Sequence, residues 1–262
     1  MKRYLSFIKK SFIENAVYRL DYFLSILSGF IIILVLTSLW KAIYTHTQQI
    51  KEANLEEMVT YAVVATILSM TLRINLEFQM EDKIRTGNIC FDLIKPVDFQ
   101  LSSFANTMGS ILFNFIMKGI PLYVISLIVF KIAIPSYLNI LGFGLSVFLS
   151  SIIFFLLSFI TGMICFWTKL IWSYVMLKQV LVIFLSGMII PLWFFPVPLK
   201  VIAVCLPFKT LYFLPTSIYI GKINGIEILL FLFQQFIWIV ILIFAGRILW
   251  NKALRRISIQ GG

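Results

Sequence analysis

The sequence predicts an all-α, polytopic membrane protein. Six transmembrane helices follow an interfacial N-terminal helix, re-entrant half-helices lie on the outer side, and both termini face the cytoplasm. Three observations carry this. Hydrophobic residues make up 61% of the 262 residues and charged residues 13%, against about 45–50% and about 25% in soluble proteins. Mean hydropathy is +1.00, more apolar surface than a water-soluble domain of this size can hide. The apolar residues fall into six runs of roughly 17–30, long enough for helices and too long for barrel strands.

In chain order, residues 1–21 are amphipathic. Leu5, Ile8, Phe12 and Ala16 recur at helical spacing among Lys2, Lys9, Lys10 and Arg19, which suits a helix lying in the membrane interface rather than a disordered basic tail. The first run covers 22–44. It starts too late, and runs too long, for a signal peptide, and no small-x-small cleavage site follows it. Glu56-Glu57 then stands in a polar loop without the Arg and His partners of an intramembrane protease, so a solvated loop is expected. The second run is 58–74.

The segment 76–99 is the most charged of the loops. Gly87 can end one helix and Asn88 cap the next, and Pro96 stops it. This predicts a short amphipathic helix at 89–95, a lever bracketed by breakers, with an ordinary connecting loop as the alternative. The third run, about 108–130, contains Lys118, expected to snorkel or to reach a carbonyl freed near Pro121 rather than to bind cargo. The fourth is 138–167. The fifth, 171–195, is interrupted by Ser186-Gly187 and Pro191. In 196–222, Pro196, Pro198, Pro207 and Pro215 divide apolar runs of about eight residues, too short to cross. Two re-entrant or interfacial half-helices fit better than an exposed loop, because so few residues are polar. The sixth run is 226–250. The whole chain, 1–262, reads as a single domain.

Lys and Arg set the orientation. With the N-terminus inside, fifteen lie on inner segments and span ends. Six lie outside (Lys41, Lys51, Lys131, Lys200, Lys209, Lys222), and Lys118 falls within the third run. Trp40, Trp167, Trp172, Trp193 and Trp250 sit near run ends, as an aromatic belt requires. The net charge of +11 therefore faces lipid headgroups and does not point to nucleic acid.

The chemistry is sparse. There is no G-x-x-x-x-G-K-[ST] phosphate loop, one histidine (His46), and three separated cysteines (Cys90, Cys165, Cys205). Neither a metal site nor a catalytic residue is expected. No Asp or Glu occurs between Asp98 and Glu227. Proton- or sodium-driven carriers usually need intramembrane carboxylates, with backbone-coordinated sodium as the alternative, so the energy for any transport is expected from a partner.

Three segments, in order, carry a family resemblance: 4–22 running into a Trp40-ended span, Ile84-Arg-Thr-Gly-Asn-Ile-Cys-Phe-Asp-Leu-Ile-Lys-Pro-Val-Asp98, and Ser186-Gly-Met-Ile-Ile-Pro-Leu-Trp-Phe-Phe-Pro196 followed by Leu206-Pro-Phe208 and Pro215. Nearly the whole chain resembles the permease subunit of type-2 ATP-binding-cassette exporters, in the bacterial branch with paired permeases. The three segments are similar to that family's elbow helix, cytoplasmic coupling motif and outer re-entrant segment. The importer-type Glu-Ala-Ala loop is absent, which favours export.

The resemblance implies a dimer of permeases, identical or sister, over two ATP-binding-cassette ATPase subunits in a bacterial plasma membrane. ATP and Mg would sit on the partner and no cofactor in this chain. It implies ATPase coupling through Gly87, Ile89, Phe91, Asp92, Leu93, Lys95 and Pro96. Ile89, Leu93 and Phe91 would be apolar anchors, while Asp92 and Lys95 would set register. The outer re-entrant segment would comprise Gly187, Pro191, Pro196, Pro207 and Pro215. The path, lined by runs one, two and five, would suit a hydrophobic or amphipathic cargo: a drug, a peptide antibiotic or a lipid-linked molecule. A non-transporting membrane scaffold or channel-like subunit is the alternative.

Overall fold

The computed structural model describes residues 2–16, 19–46, 53–168 and 170–257. Lys51 and Lys169, both used in the orientation tally, lie outside them. The described residues form helices and no strand. In order these are α1 (Lys2–Asn15), α2 (Arg19–His46), α3 (Leu55–Leu72), α4 (Leu76–Arg85), α5 (Ile89–Ile94), α6 (Phe99–Asn114), α7 (Ile120–Phe130), α8 (Tyr137–Met163), α9 (Trp172–Leu185), α10 (Val197–Cys205), α11 (Phe213–Tyr219) and α12 (Ile226–Ile257).

Five stretches are long and apolar enough to cross a membrane: Leu20–Thr45, Leu55–Arg85, Phe99–Phe130, Tyr137–Phe166 and Ile226–Arg256. A sixth candidate is the pair Val197–Cys205 and Pro207–Tyr219, bent by 76°. The apolar run 171–195 is therefore not one helix. α9 holds 14 residues, about 21 Å at 1.5 Å per residue, short of the roughly 30 Å hydrocarbon layer. It stops because Gly187 takes φ +74° and the chain turns back. The Phe213 amide donates to the Ser186 carbonyl at 3.0 Å, and the Tyr61 hydroxyl to the Gly187 carbonyl at 2.5 Å.

The third span starts at Phe99, earlier than the hydropathy suggests. The Asp98 carboxylate accepts from the Leu101 amide at 2.9 Å and caps α6, so the polar Gln100, Ser102 and Ser103 enter the helix. Between α6 and α7, residues Phe115–Gly119 form a π-helical turn. Pro121 explains it. Proline has no N–H for the Met117 carbonyl, and its ring crowds that carbonyl; a wider turn relieves the clash.

α3 is the central helix, buried along nearly its whole length from Met58 to Leu68. It packs against α2, the π turn, α6, α7 and α11. A capping box starts it: the Glu57 amide donates to the Asn54 side chain at 2.8 Å, and the Asn54 amide to Glu57 at 3.1 Å. Glu57 also pairs with Lys222 at 2.7 Å. This carboxylate is thus a helix cap, where a solvated loop was expected. α8 is the second core helix, packed on α12, α11 and α4. Its Phe155 and Phe159 join Leu68, Phe99 and Trp250 in the main apolar cluster, where Phe99 and Trp250 stack at 5.0 Å. α1 lies along α6, with Phe12 edge-on to Phe113 at 5.3 Å.

Candidate functional site

The end of the molecule carrying α4 and α5 holds the predicted lever residues. Gly87 has φ +75°, a backbone state that glycine adopts without strain, and it turns the chain from α4 into α5. Asn88 makes no side-chain cap; the turn closes instead through backbone bonds from Cys90 to Gly87 and from Phe91 to Asn88. α5 ends at Ile94, and Lys95 is extended (ψ 139°) before Pro96, as the proline requires.

The faces of α5 are sorted differently from the sequence expectation. Ile89 is buried in the main core and Leu93 leans on it. Phe91 and Ile94 point outward, 67% and 79% exposed. Asp92 accepts from Lys83 at 2.7 Å and from Lys95 at 2.6 Å. Partial burial pushes the Asp92 carboxyl up, but the two ammonium groups outweigh it and hold it below the usual aspartate value. Asp98 behaves likewise: burial raises it, while the Leu101 amide and Arg247, at 2.9 Å, bring it below. α5 is therefore fastened to α4 by a core side chain and an ion triad, with two apolar side chains left on the surface.

Beside this hairpin, a cleft of about 870 Å³ runs between α1, α2, α6 and the α3–α4 junction. Arg73 and Lys118 line it together with Ser25, Ser28, Ser69 and Asn114. Arg73 is exposed to it and Lys118 half-buried. Asn114 donates to the Arg73 carbonyl at 3.3 Å, tying α6 to the end of α3. Lys118, expected to snorkel or to reach a freed carbonyl, sits on the cleft wall.

Next to this cleft, in a smaller pocket that Arg73 also lines, Glu77 is buried, ion-paired to Lys178 of α9. Lys178 also donates to Ser158 of α8 at 2.9 Å and lies over the Phe154 ring at 5.1 Å. The orientation tally places Lys178 only among the fifteen cations of inner segments and span ends. The legible signal was a lone lysine inside an apolar run, which demands a partner.

The Pro-rich stretch is anchored at the other end. Pro191 precedes the turn Leu192–Phe194, Pro196 precedes α10, Pro207 opens the turn Pro207–Thr210 and Pro215 lies in the first turn of α11. Each thus stands where a missing N–H costs least. Ser150 and Gln235 donate to the Thr210 carbonyl at 2.6 and 3.0 Å, and Asn139 donates to the Ile218 carbonyl at 2.9 Å. Side chains of α8 and α12 thus satisfy irregular backbone among apolar helices.

No curated protein matches the chain. A family model described as ABC-2 family transporter protein matches residues 19–261, from the start of α2 to beyond the end of α12. By that match and by its apolar helices, the chain belongs to the ABC-2 transporter family and is a multi-pass membrane transport subunit, not itself catalytic.

Proposed function

We propose that the chain is the membrane-spanning subunit of an ATP-driven exporter. It works as a pair of permeases, identical or sister, and couples to separate ATP-binding subunits through α5. The α5 end then faces the cytoplasm of a bacterial cell, together with both termini, and ATP and Mg belong to the partner. The observation that carries this reading is α5 itself. It is held rigidly to α4 through Ile89 and Asp92, runs through Pro96 into the capped start of α6, and presents Phe91 and Ile94 outward. A push on such an element reaches the second and third spans together. Small interfaces rest on a few buried side chains, and these two are the exposed apolar ones on α5. The cargo is hydrophobic or amphipathic.

The test is copurification of the ATPase and its substrate-stimulated hydrolysis. Phe91→Asp and Ile94→Asp should lose both while the permease stays folded, since each leaves an uncompensated charge in the contact. Ile89→Asp should instead lower the melting temperature of the permease itself. Lys200→Asp, on exposed α10, should change nothing. A Phe91→Asp, Ile94→Asp double variant that kept a bound ATPase and stimulated turnover would refute the assignment.

A further inference from the structure

The cleft between α1, α2 and α6 contains more cations than its own acids neutralise. Of the five basic side chains on its wall, Lys83 and Lys95 share Asp92, and Lys10 faces Glu14 at 3.6 Å. Arg73 and Lys118 remain. Among the described residues, neither lies within ion-pair distance of a carboxylate. Asp21, exposed in the first turn of α2, acts on Lys118 only through its longer-range field, and Arg73 opposes it.

Their depth makes this notable. Lys118 lies in the continuous span Phe99–Phe130, about 18 Å along the helix from Phe130. Arg73 ends α3, beside Asn114. Cations inside a membrane span are costly and are kept for a counter-charge. The wall around them is of two kinds. Ser25, Ser28 and Ser69 are polar, with hydroxyls that donate to the carbonyls of Asp21, Ser25 and Thr66, whereas Ile32, Met70 and Met188 are apolar. An anionic group seated between Arg73 and Lys118 would meet two charged donors, and an attached chain would meet apolar side chains.

We propose that this cleft is a binding site for a phosphate-bearing amphiphile, its phosphate held by Arg73 and Lys118. Arg offers a planar fork that matches phosphate oxygens, and Lys adds a point charge. The inference rests on the transport reading for one point: the amphiphile is then cargo on its way through the permease, which narrows the cargo to molecules with an anionic headgroup. The phosphate belongs either to a membrane phospholipid or to a soluble phosphorylated compound, and the assay separates the two.

The experiment uses the full chain in a neutral detergent, without ATPase. Binding of a fluorescent short-chain phosphatidylglycerol is compared with a diacylglycerol of identical tails, which has no phosphate, and inorganic phosphate is the competitor. Phosphatidylglycerol should bind saturably and about tenfold more tightly, the worth of one charge-assisted hydrogen bond. Arg73→Gln and Lys118→Gln should each remove most of that preference, while Arg73→Lys and Lys118→Arg retain much of it. Lys200→Gln should bind as the native chain does. Should a Gln variant fail to fold, salt decides on the unmodified protein: raising it from about 0.05 to 0.5 M should weaken the anionic lipid and spare the uncharged one. Displacement by millimolar inorganic phosphate would assign the site to soluble phosphates as well. Preference without displacement would assign it to phospholipid. Equal binding of the two lipids, or Gln variants with native preference, would overturn the proposal. Either result would leave ATPase copurification untouched, so loss of this site and loss of the exporter reading are told apart.

Discussion

Glu77 and Lys178 show how much one buried pair controls. Both are withdrawn from solvent, and the Ser158 hydroxyl accepts a further hydrogen bond from Lys178. Removing one partner leaves an uncompensated charge among α4, α8 and α9. Lys178→Met should therefore destabilise the chain by about 3–5 kcal/mol, whereas Glu77→Gln with Lys178→Met should recover most of the loss. Thermal melting of the detergent-solubilised chain checks this; a double variant as unstable as the single would show that the pair is not the cause. The need of Lys178 for a partner was readable from the apolar run around it, but not which partner, because the two residues are 101 apart and Glu77 reads as part of a charged loop. The surroundings of Lys118 were not readable for a related reason. Its environment depends on Arg73, on Asn114 and on a π turn, and no local pattern specifies which face that turn presents.

Among the elements, α1 and α6 meet most closely at a glycine. A Cβ at Gly109 would stand 2.4 Å from the Ile8 carbonyl oxygen, with Ser11 next to it. Ser11 and Ser110 hydrogen-bond there at 2.9 Å, and Asn15 donates to Ser110 at 3.1 Å. Gly109→Ala should push the backbones apart and cost about 1–3 kcal/mol, as overpacking does. Limited proteolysis should then cut within α1 sooner than in the native chain; unchanged cleavage would mean that α1 does not depend on this contact. The amphipathic α1 was legible from its apolar period, and so were the long helices. The short ones were legible only by their breakers. Gly87, Pro96, Gly187 and the prolines marked where helices stop, but the side on which α5 buries Ile89 was fixed by Met80, Phe99 and the rest of a core assembled from distant segments.

At the scale of the molecule, one side of several helices has no partner within the chain. Phe23, Leu24 and Leu27 of α2, and Phe233, Phe236 and Phe244 of α12, are exposed. Such faces suit lipid or another membrane subunit. The orientation across the bilayer is a separate matter, resting on Lys and Arg placement. It predicts that single cysteines at Thr86 and at Lys200, in a chain without Cys90, Cys165 and Cys205, react with an impermeant thiol reagent from opposite sides. Both positions are exposed. Labelling from the same side would rule out the six-crossing topology. Composition alone settled the membrane class, since no soluble core could absorb these apolar runs. The count of crossings is less direct, because Gly187 and Pro191 cut the fifth run after a 14-residue helix.

That short helix has a consequence for biogenesis. α9 carries a lysine at its centre, and a central lysine opposes partition into lipid by roughly 2.5–3.5 kcal/mol on insertion scales. Alone, α9 is a weak signal for the translocation machinery. Its acceptors, Glu77 and Ser158, are already made by the time it leaves the ribosome, so earlier helices must act as its chaperone. Residues 168–196 fused to a glycosylation reporter should fail to integrate when presented alone, and should integrate when preceded by residues 1–167. Replacing Glu77 with Gln in the longer fusion should reduce that integration. The chain's order of synthesis would then be part of how it reaches its structure: the acid is laid down first and waits about a hundred residues for its base.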